Sequence, residues 1–76
     1  GGDPKRAVET LERGMKYGEN NSLYRLRLAE AYIRNKRMDD ARKQIDFILN
    51  MTPHPGFLPE HKEAVTKARE LLDKRL

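Results

Sequence analysis

Few side chains in this sequence have the types and spacing needed for catalysis or metal binding. His54 and His61 stand on either side of a proline-rich segment, without the carboxylate pattern of a metal site. Ser22 is the only serine and stands where a helix cap is expected, and the chain has no cysteine. The neighbouring carboxylates Asp39 and Asp40 stand at a predicted helix start, where they offset the helix dipole. We therefore expect no enzyme activity, no cofactor and no metal site.

The charged side chains point to a class of partner. The formal net charge is +4, and residues 22–43 contain seven basic and three acidic side chains, while the rest of the chain has nine of each. A basic segment favours an acidic partner, although a solvated helix face explains the same charges. Tyr24 and Tyr32 lie among these bases, but both fall on an apolar helix stripe. Nucleic-acid binding is therefore the less favoured interpretation.

The length and hydropathy of the chain limit its architecture. Its 76 residues suffice for one small domain. A domain of this size buries only about 60% of the surface that its unfolded chain exposes, so its stability depends on regular packing or on neighbours. No apolar run approaches the roughly 20 residues of a membrane helix, and we expect no membrane partner. The sequence does not identify the compartment, for which the cytoplasm is only a default.

The sequence predicts four helices and no strand. Asp3 is a favourable N-cap and Pro4 a favourable first helical residue, and we expect Gly18 to end the first helix in the left-handed conformation. Asn21 or Ser22 is expected to cap the second helix. The short connections predict antiparallel neighbours. The predicted helices are approximately 4–17, 22–35, 39–51 and 59–75.

The second predicted helix has two apolar stripes. At about 100° per residue, these stripes lie more than a third of a turn apart, so this helix is expected to have contacts on two sides. One stripe consists of Tyr24, Leu28, Ala31 and Tyr32, and the other of Leu23, Leu26 and Ile33.

A pattern of small and large residues recurs after 34 positions. Such a period, formed by a helix, a turn and a second helix, is typical of helical repeat proteins. Small residues at fixed positions let two helix backbones approach, and larger residues fill the space beside them. The matching pairs are Ala7 and Ala41, Leu11 and Ile45, and Met15 and Leu49.

The middle of the chain resembles the tetratricopeptide repeat family. Leu28, Ala29 and Tyr32 match one element of the family pattern, with alanine in place of glycine. Ala41 and Ile45 match a second element, and Pro53 stands at the closing proline of the repeat. The sequence departs from the family at Arg25, where an early tryptophan is usual.

This resemblance implies an all-α fold in which antiparallel helix hairpins stack as a fragment of a right-handed superhelix. We expect a single domain over 1–76, with four helices. In this division, residues 2–21 form the second half of a preceding repeat, residues 22–55 a full repeat, and residues 56–76 a turn and a capping helix. An unrelated antiparallel bundle of three or four helices is the alternative.

The resemblance also implies a function, since the first helix of each repeat lines the concave side of the superhelix. We expect a protein or peptide partner, with acidic residues, to lie along the second helix as an extended or helical segment. Packing of the three apolar members of this face on a neighbouring helix is the alternative. The partner-binding residues predicted in this way are Leu23, Leu26, Arg27, Glu30, Ile33 and Arg34.

A structural role is the alternative function. A stack of helices is usually stable only with about three repeats, so a short fragment has an open edge. The chain then serves as a spacer or cap of a longer array, or associates with a second copy through that edge.

Overall fold

The helices lie close to their predicted positions in the computed structural model, which describes residues 3–76. Gly2, the predicted start of the first segment, lies outside these residues. Within them there are four α-helices and no strand, so the predicted all-α fold is confirmed. The helices are α1 (Pro4–Gly14), α2 (Ser22–Arg34), α3 (Met38–Asn50) and α4 (Leu58–Lys74), with short 3₁₀ segments at Met15–Tyr17 and Pro55–Phe57.

Side-chain caps define the starts of the first two helices. The backbone N–H of Lys5 donates to Asp3 Oδ1 at 3.0 Å, as the predicted N-cap requires. The N–H of Tyr24 donates to Asn21 Oδ1 at 3.2 Å, so Asn21 rather than Ser22 caps α2. These bonds satisfy N–H groups that have no partner inside the helix.

Among residues 3–76, the left-handed residue is not the glycine that the sequence predicts. Gly18 has a φ of −129°, and the prediction of a left-handed conformation there is wrong. Lys36 instead has a φ of 59°, in the turn between α2 and α3. There the N–H of Lys36 donates to the carbonyl of Ile33 and that of Arg37 to the carbonyl of Tyr32, each at 2.9 Å. These two hydrogen bonds close the end of α2, and the chain reverses its direction there.

The second helix is the centre of the molecule. It packs against α1, α3 and α4, which agrees with the prediction of apolar stripes on two sides. Five buried alanines let the helix axes approach, and larger aliphatic residues fill the space beside them. The alanines are Ala29, Ala31, Ala41, Ala64 and Ala68, and the largest fully buried side chains are Leu26, Leu28, Ile45, Ile48 and Val8.

The first helix is buried most deeply at Val8. Ala7, Leu11 and Met15, which match positions of α3 in the 34-residue pattern, are half-buried. The side-chain amide of Asn35, at the end of α2, also donates to the carbonyl of Pro4 at 2.8 Å. This bond joins the end of α2 to the start of α1, as an antiparallel pair allows.

Among residues 3–76, no helix combines the length and the apolar character needed to cross a membrane.

Candidate protein-binding site

The six residues predicted to bind a partner differ widely in exposure. Two are buried, with exposed fractions of 2% for Leu26 and 5% for Ile33. The sequence left two alternatives for the apolar residues of this face, contact with a partner or packing on a neighbouring helix. Leu26 and Ile33 pack inside the protein. Leu23 and Glu30 are half-buried, and Arg27 and Arg34 are exposed. The role of all six residues in partner binding stays a prediction.

A groove runs between α2 and α4, and four of the six residues line it. Its larger part has a volume of about 370 Å³, and an adjoining part has about 140 Å³. The two parts share Glu30, Leu71 and Arg75. The remaining lining residues are Leu26, Lys67, Glu70 and Lys74 in the larger part, and Ile33 and Arg34 in the smaller one.

The basic side chains of this groove are only partly neutralised. Lys67 Nζ lies 3.3 Å from Glu63 Oε1 on the same helix. Among the described residues, no acidic side chain forms an ion pair with Arg34, Lys74 or Arg75. The groove therefore has a floor bordered by aliphatic residues and a rim with three unpaired cations.

Glu30 and Glu70 are the acidic residues of the groove, and Glu30 lines both of its parts. Its Oε1 is shielded from solvent and accepts no hydrogen bond within residues 3–76. Arg27 Nη1 lies 3.5 Å from this oxygen, which is an ion-pair distance but too long for a normal hydrogen bond. A carboxylate oxygen that is shielded from solvent and has no donor within normal hydrogen-bond distance is costly.

The two histidines have structural roles near the turns. His61 Nδ1 lies 3.1 Å from Ser22 Oγ, which joins α4 to the first residue of α2. The N–H of Gly56 donates to His54 Nδ1 at 3.1 Å and orders the turn before α4. No group of three potential metal ligands converges in the part of the chain that the structure describes.

Arg25 is a residue whose role the sequence interpretation missed. Its Nε donates to the carbonyl of Glu19 at 2.7 Å, and its Nη1 donates to Gln44 Oε1 at 3.0 Å. Its guanidinium also stacks on Phe47, with Cζ 3.4 Å from the ring centre. Burial lowers the pKa of Arg25, and the nearby carboxylate of Glu19 partly opposes this. Arg25 thus holds α2 to α3, at the position where the family usually has an aromatic residue.

Tyr32 connects three helices through a polar network. Its hydroxyl donates to Glu12 Oε2 at 2.7 Å, and Arg37 lies over its ring, 4.7 Å from the ring centre. Arg37 Nε donates in turn to Asp40 Oδ2 at 2.9 Å. Burial, followed by the hydrogen bond to Glu12, raises the pKa of Tyr32 to about 12. The network fixes α1, α2 and the start of α3 in one arrangement.

Comparison with known proteins agrees with this arrangement of helices. A family model described as tetratricopeptide repeat matches residues 1–55. Neither the curated proteins nor the solved structures contained a match to the chain. Tetratricopeptide repeats are generally protein–protein interaction modules and typically non-enzymatic scaffolds. Because the match covers most of the chain, this protein belongs to the tetratricopeptide repeat family.

Proposed function

We propose that this protein binds an acidic peptide segment of another protein in the groove between α2 and α4. The observation that carries the proposal is the set of three unpaired cations at the groove: Arg34, Lys74 and Arg75. Carboxylates of a bound peptide are the groups that these side chains would pair with.

The charges around the groove also predict its selectivity. Arg34 can bind a carboxylate with two parallel hydrogen bonds, whereas Lys74 acts as a more mobile point charge. Exposed ion pairs contribute little affinity individually but raise the association rate and exclude basic partners. We therefore expect binding to weaken as the salt concentration rises.

The aliphatic residues of the groove support a contact of modest depth. Leu26 and Ile33 border the groove but are nearly fully buried, while Leu71 on α4 is half-buried. Leu23 and Arg27 do not line the groove, and their predicted contacts with a partner remain part of this proposal. A peptide on this surface would contact the exposed parts of these side chains, without displacing α4.

The proposal can be tested by selecting ligands from a random peptide library displayed on phage. Two baits are compared. One is the unmodified chain, and the other is a variant that carries Arg34→Glu, Lys74→Glu and Arg75→Glu. We expect acidic peptides to be enriched on the unmodified chain and lost on the variant, because the variant replaces all three unpaired cations with repelling carboxylates.

A matched control variant distinguishes binding in the groove from an effect of the net charge of the protein. Lys5→Glu, Arg6→Glu and Lys43→Glu change the net charge equally, at three exposed residues that do not line the groove. This control should retain the enriched peptides. If no peptides are enriched, or if both triple variants lose them equally, the groove is not the binding site.

A role as a spacer or cap that self-associates has separate support. Leu58 and Leu72 on α4 are exposed, by 44% and 37% respectively, and Val65 between them is half-buried. Residues seven apart share one helix face, so the three form an apolar stripe whose two ends are exposed. Sedimentation at about 0.1 mM, where weak association is seen, would give a dimer in this case, and Leu72→Glu would restore a monomer.

A further inference from the structure

A second cavity lies away from the groove, beside the turns that precede α2 and α4. Its volume is about 380 Å³. The turn before α2 contributes Lys16, Tyr17 and the two asparagines Asn20 and Asn21, and the turn before α4 contributes His54 and Phe57. None of these residues lines the groove between α2 and α4, so the two surfaces are separate.

Two aromatic rings of this cavity are exposed to solvent. Tyr17 is 85% exposed and Phe57 is 50% exposed. The ring of His54 lies against Phe57, with 5.6 Å between the ring centres. Aromatic side chains with a large exposed area favour contact with a partner, because each ring loses much apolar surface to water when covered.

The hydrogen-bonding groups that remain available around the cavity include several donors. The Oδ1 of Asn21 already accepts from Tyr24, so its N–H₂ group is left. The backbone N–H of Gly18 donates to Met15 and its carbonyl accepts from Asn21. The amide of Asn20 and the ammonium of Lys16 add further donors. A ligand that presents carbonyl oxygens can accept hydrogen bonds from these donors.

A proline-rich segment has these properties. Proline has no backbone N–H, and in the polyproline II conformation the carbonyls have no internal partners. Its rings pack on aromatic side chains, and it loses little conformational entropy on binding because it is already extended.

The charge of the cavity favours this ligand over a nucleic acid. The lining has one basic residue of the lysine or arginine type, Lys16, and one acidic residue, Glu19. Their formal charges balance. Single-stranded nucleic acids are bound by grooves whose several cations follow the phosphates. An uncharged peptide suits the cavity better.

The walls of the cavity are also held in place before binding. The hydroxyl of Tyr24 donates to the carbonyl of Leu11 at 2.7 Å, which fixes the turn before α2. The N–H of Phe57 donates to the carbonyl of His54 at 2.8 Å, in addition to the bond between Gly56 and His54 Nδ1. A prearranged site avoids the entropic cost of ordering its loops.

We propose that this cavity is a second interaction site, which binds a proline-rich segment in the polyproline II conformation. This site goes beyond the proposed acidic-peptide function and does not depend on it. Tyr17 and Phe57 provide the apolar contacts, and the two asparagines and Lys16 donate to carbonyls of the peptide.

The test is a titration of ¹⁵N-labelled protein with a peptide of about ten prolines, which spans roughly three turns of polyproline helix. A glycine–serine peptide of equal length is the control ligand. We expect saturable chemical-shift changes at residues 16–21 and 54–57 with the proline peptide, and none with the control. Tyr17→Ala should weaken binding at least about tenfold, since it removes one of two rings.

Variant controls make the result decisive. Tyr17 is nearly fully exposed, so its substitution should leave the thermal melting curve unchanged. Phe57→Ala removes the other ring and should weaken proline binding independently. Lys74→Glu in the other groove should have no effect on proline binding. The proposal is wrong if no saturable change appears at about 1 mM peptide, or if Tyr17→Ala binds as tightly as the unmodified chain. Binding of a short oligouridylate at these residues, without binding of the proline peptide, would also overturn it.

Discussion

Gly18 lies so close to Tyr24 that a β-carbon added to it would fall 2.7 Å from Cγ of the tyrosine ring. Its backbone φ of −129° is accessible to any residue, so conformational freedom does not explain the glycine. The close approach of the ring does. The turn at Gly18, where the first predicted helix ends, thus depends on the packing of this turn against Tyr24 on α2.

Substitution of Gly18 by alanine tests this contact. We expect Gly18→Ala to lower the free energy of unfolding by about 1–3 kcal/mol, because the added methyl group forces the ring or the turn to move. Urea denaturation measures the change. Gly56→Ala is the matched control, since its β-carbon would lie 3.4 Å from His54 Nδ1; its effect should stay within about 0.5 kcal/mol. Equal effects of the two substitutions would contradict the role of Tyr24.

Gly14 contacts the other end of the same tyrosine. A β-carbon there would lie 2.3 Å from the Tyr24 hydroxyl, which donates to the carbonyl of Leu11. We expect Gly14→Ala to cost about 1–2 kcal/mol, because the hydroxyl must leave its acceptor. In a Tyr24→Phe background the same substitution should be neutral or stabilising, since the nearest remaining atom, Cζ, would be 3.4 Å away and alanine suits a helix better. A double-mutant cycle with no coupling energy would refute this steric explanation.

Arg25 should be sensitive to a change that keeps its charge. Lysine cannot reproduce both side-chain hydrogen bonds and the planar stacking on Phe47. We expect Arg25→Lys to destabilise the protein by about 1–2 kcal/mol in a thermal or urea melt. Arg27→Lys, two positions along the same helix, is the control, because Arg27 is exposed; its effect should be below about 0.5 kcal/mol. If both substitutions are equally mild, Arg25 is not a structural link between α2 and α3.

The raised pKa of Tyr32 predicts a loss of stability in alkaline solution. Its pKa rises from 10.0 to about 12 on folding, so the folded state favours the neutral phenol. Its contribution is fully present below about pH 10 and is lost as the pH rises towards 12. Between pH 8 and pH 11, the unmodified protein should lose about 1 kcal/mol more of its unfolding free energy than Tyr32→Phe does. Since the other titrating groups are common to both proteins, parallel losses over this range would contradict the prediction.

Much of the fold could be predicted from local patterns. Asp3 and Pro4 mark the start of α1 through a cap and a fixed φ, which depend on neighbouring residues alone. The pairing of Ala41 and Ile45 with residues 34 positions earlier identified the repeat, because each unit must bury the same small and large positions. The division of the chain at residues 21 and 55 stays a prediction.

Features that involve residues distant in the chain were not predictable in this way. Nothing near Arg25 in the sequence indicates that Phe47 and Gln44 would surround it. The left-handed residue was assigned to Gly18 because glycine accepts that conformation most easily, but the bonds that end α2 require it at Lys36. The contacts of Arg25 lie between two helices, whereas the bonds at Lys36 belong to the turn that ends α2.

For the candidate site, the sequence by itself determined that α2 has two apolar faces and a basic surface, because helical periodicity and charge are properties of a local segment. Only the tertiary structure decided how the predicted binding residues are used. The packing of α4 beside α2 leaves Leu26 and Ile33 buried, and it places Lys74 and Arg75 in the same groove as Arg34. That arrangement follows from the close fit of Ala64 and Ala68 into the core, and such a fit depends on the shapes of all the packed helices.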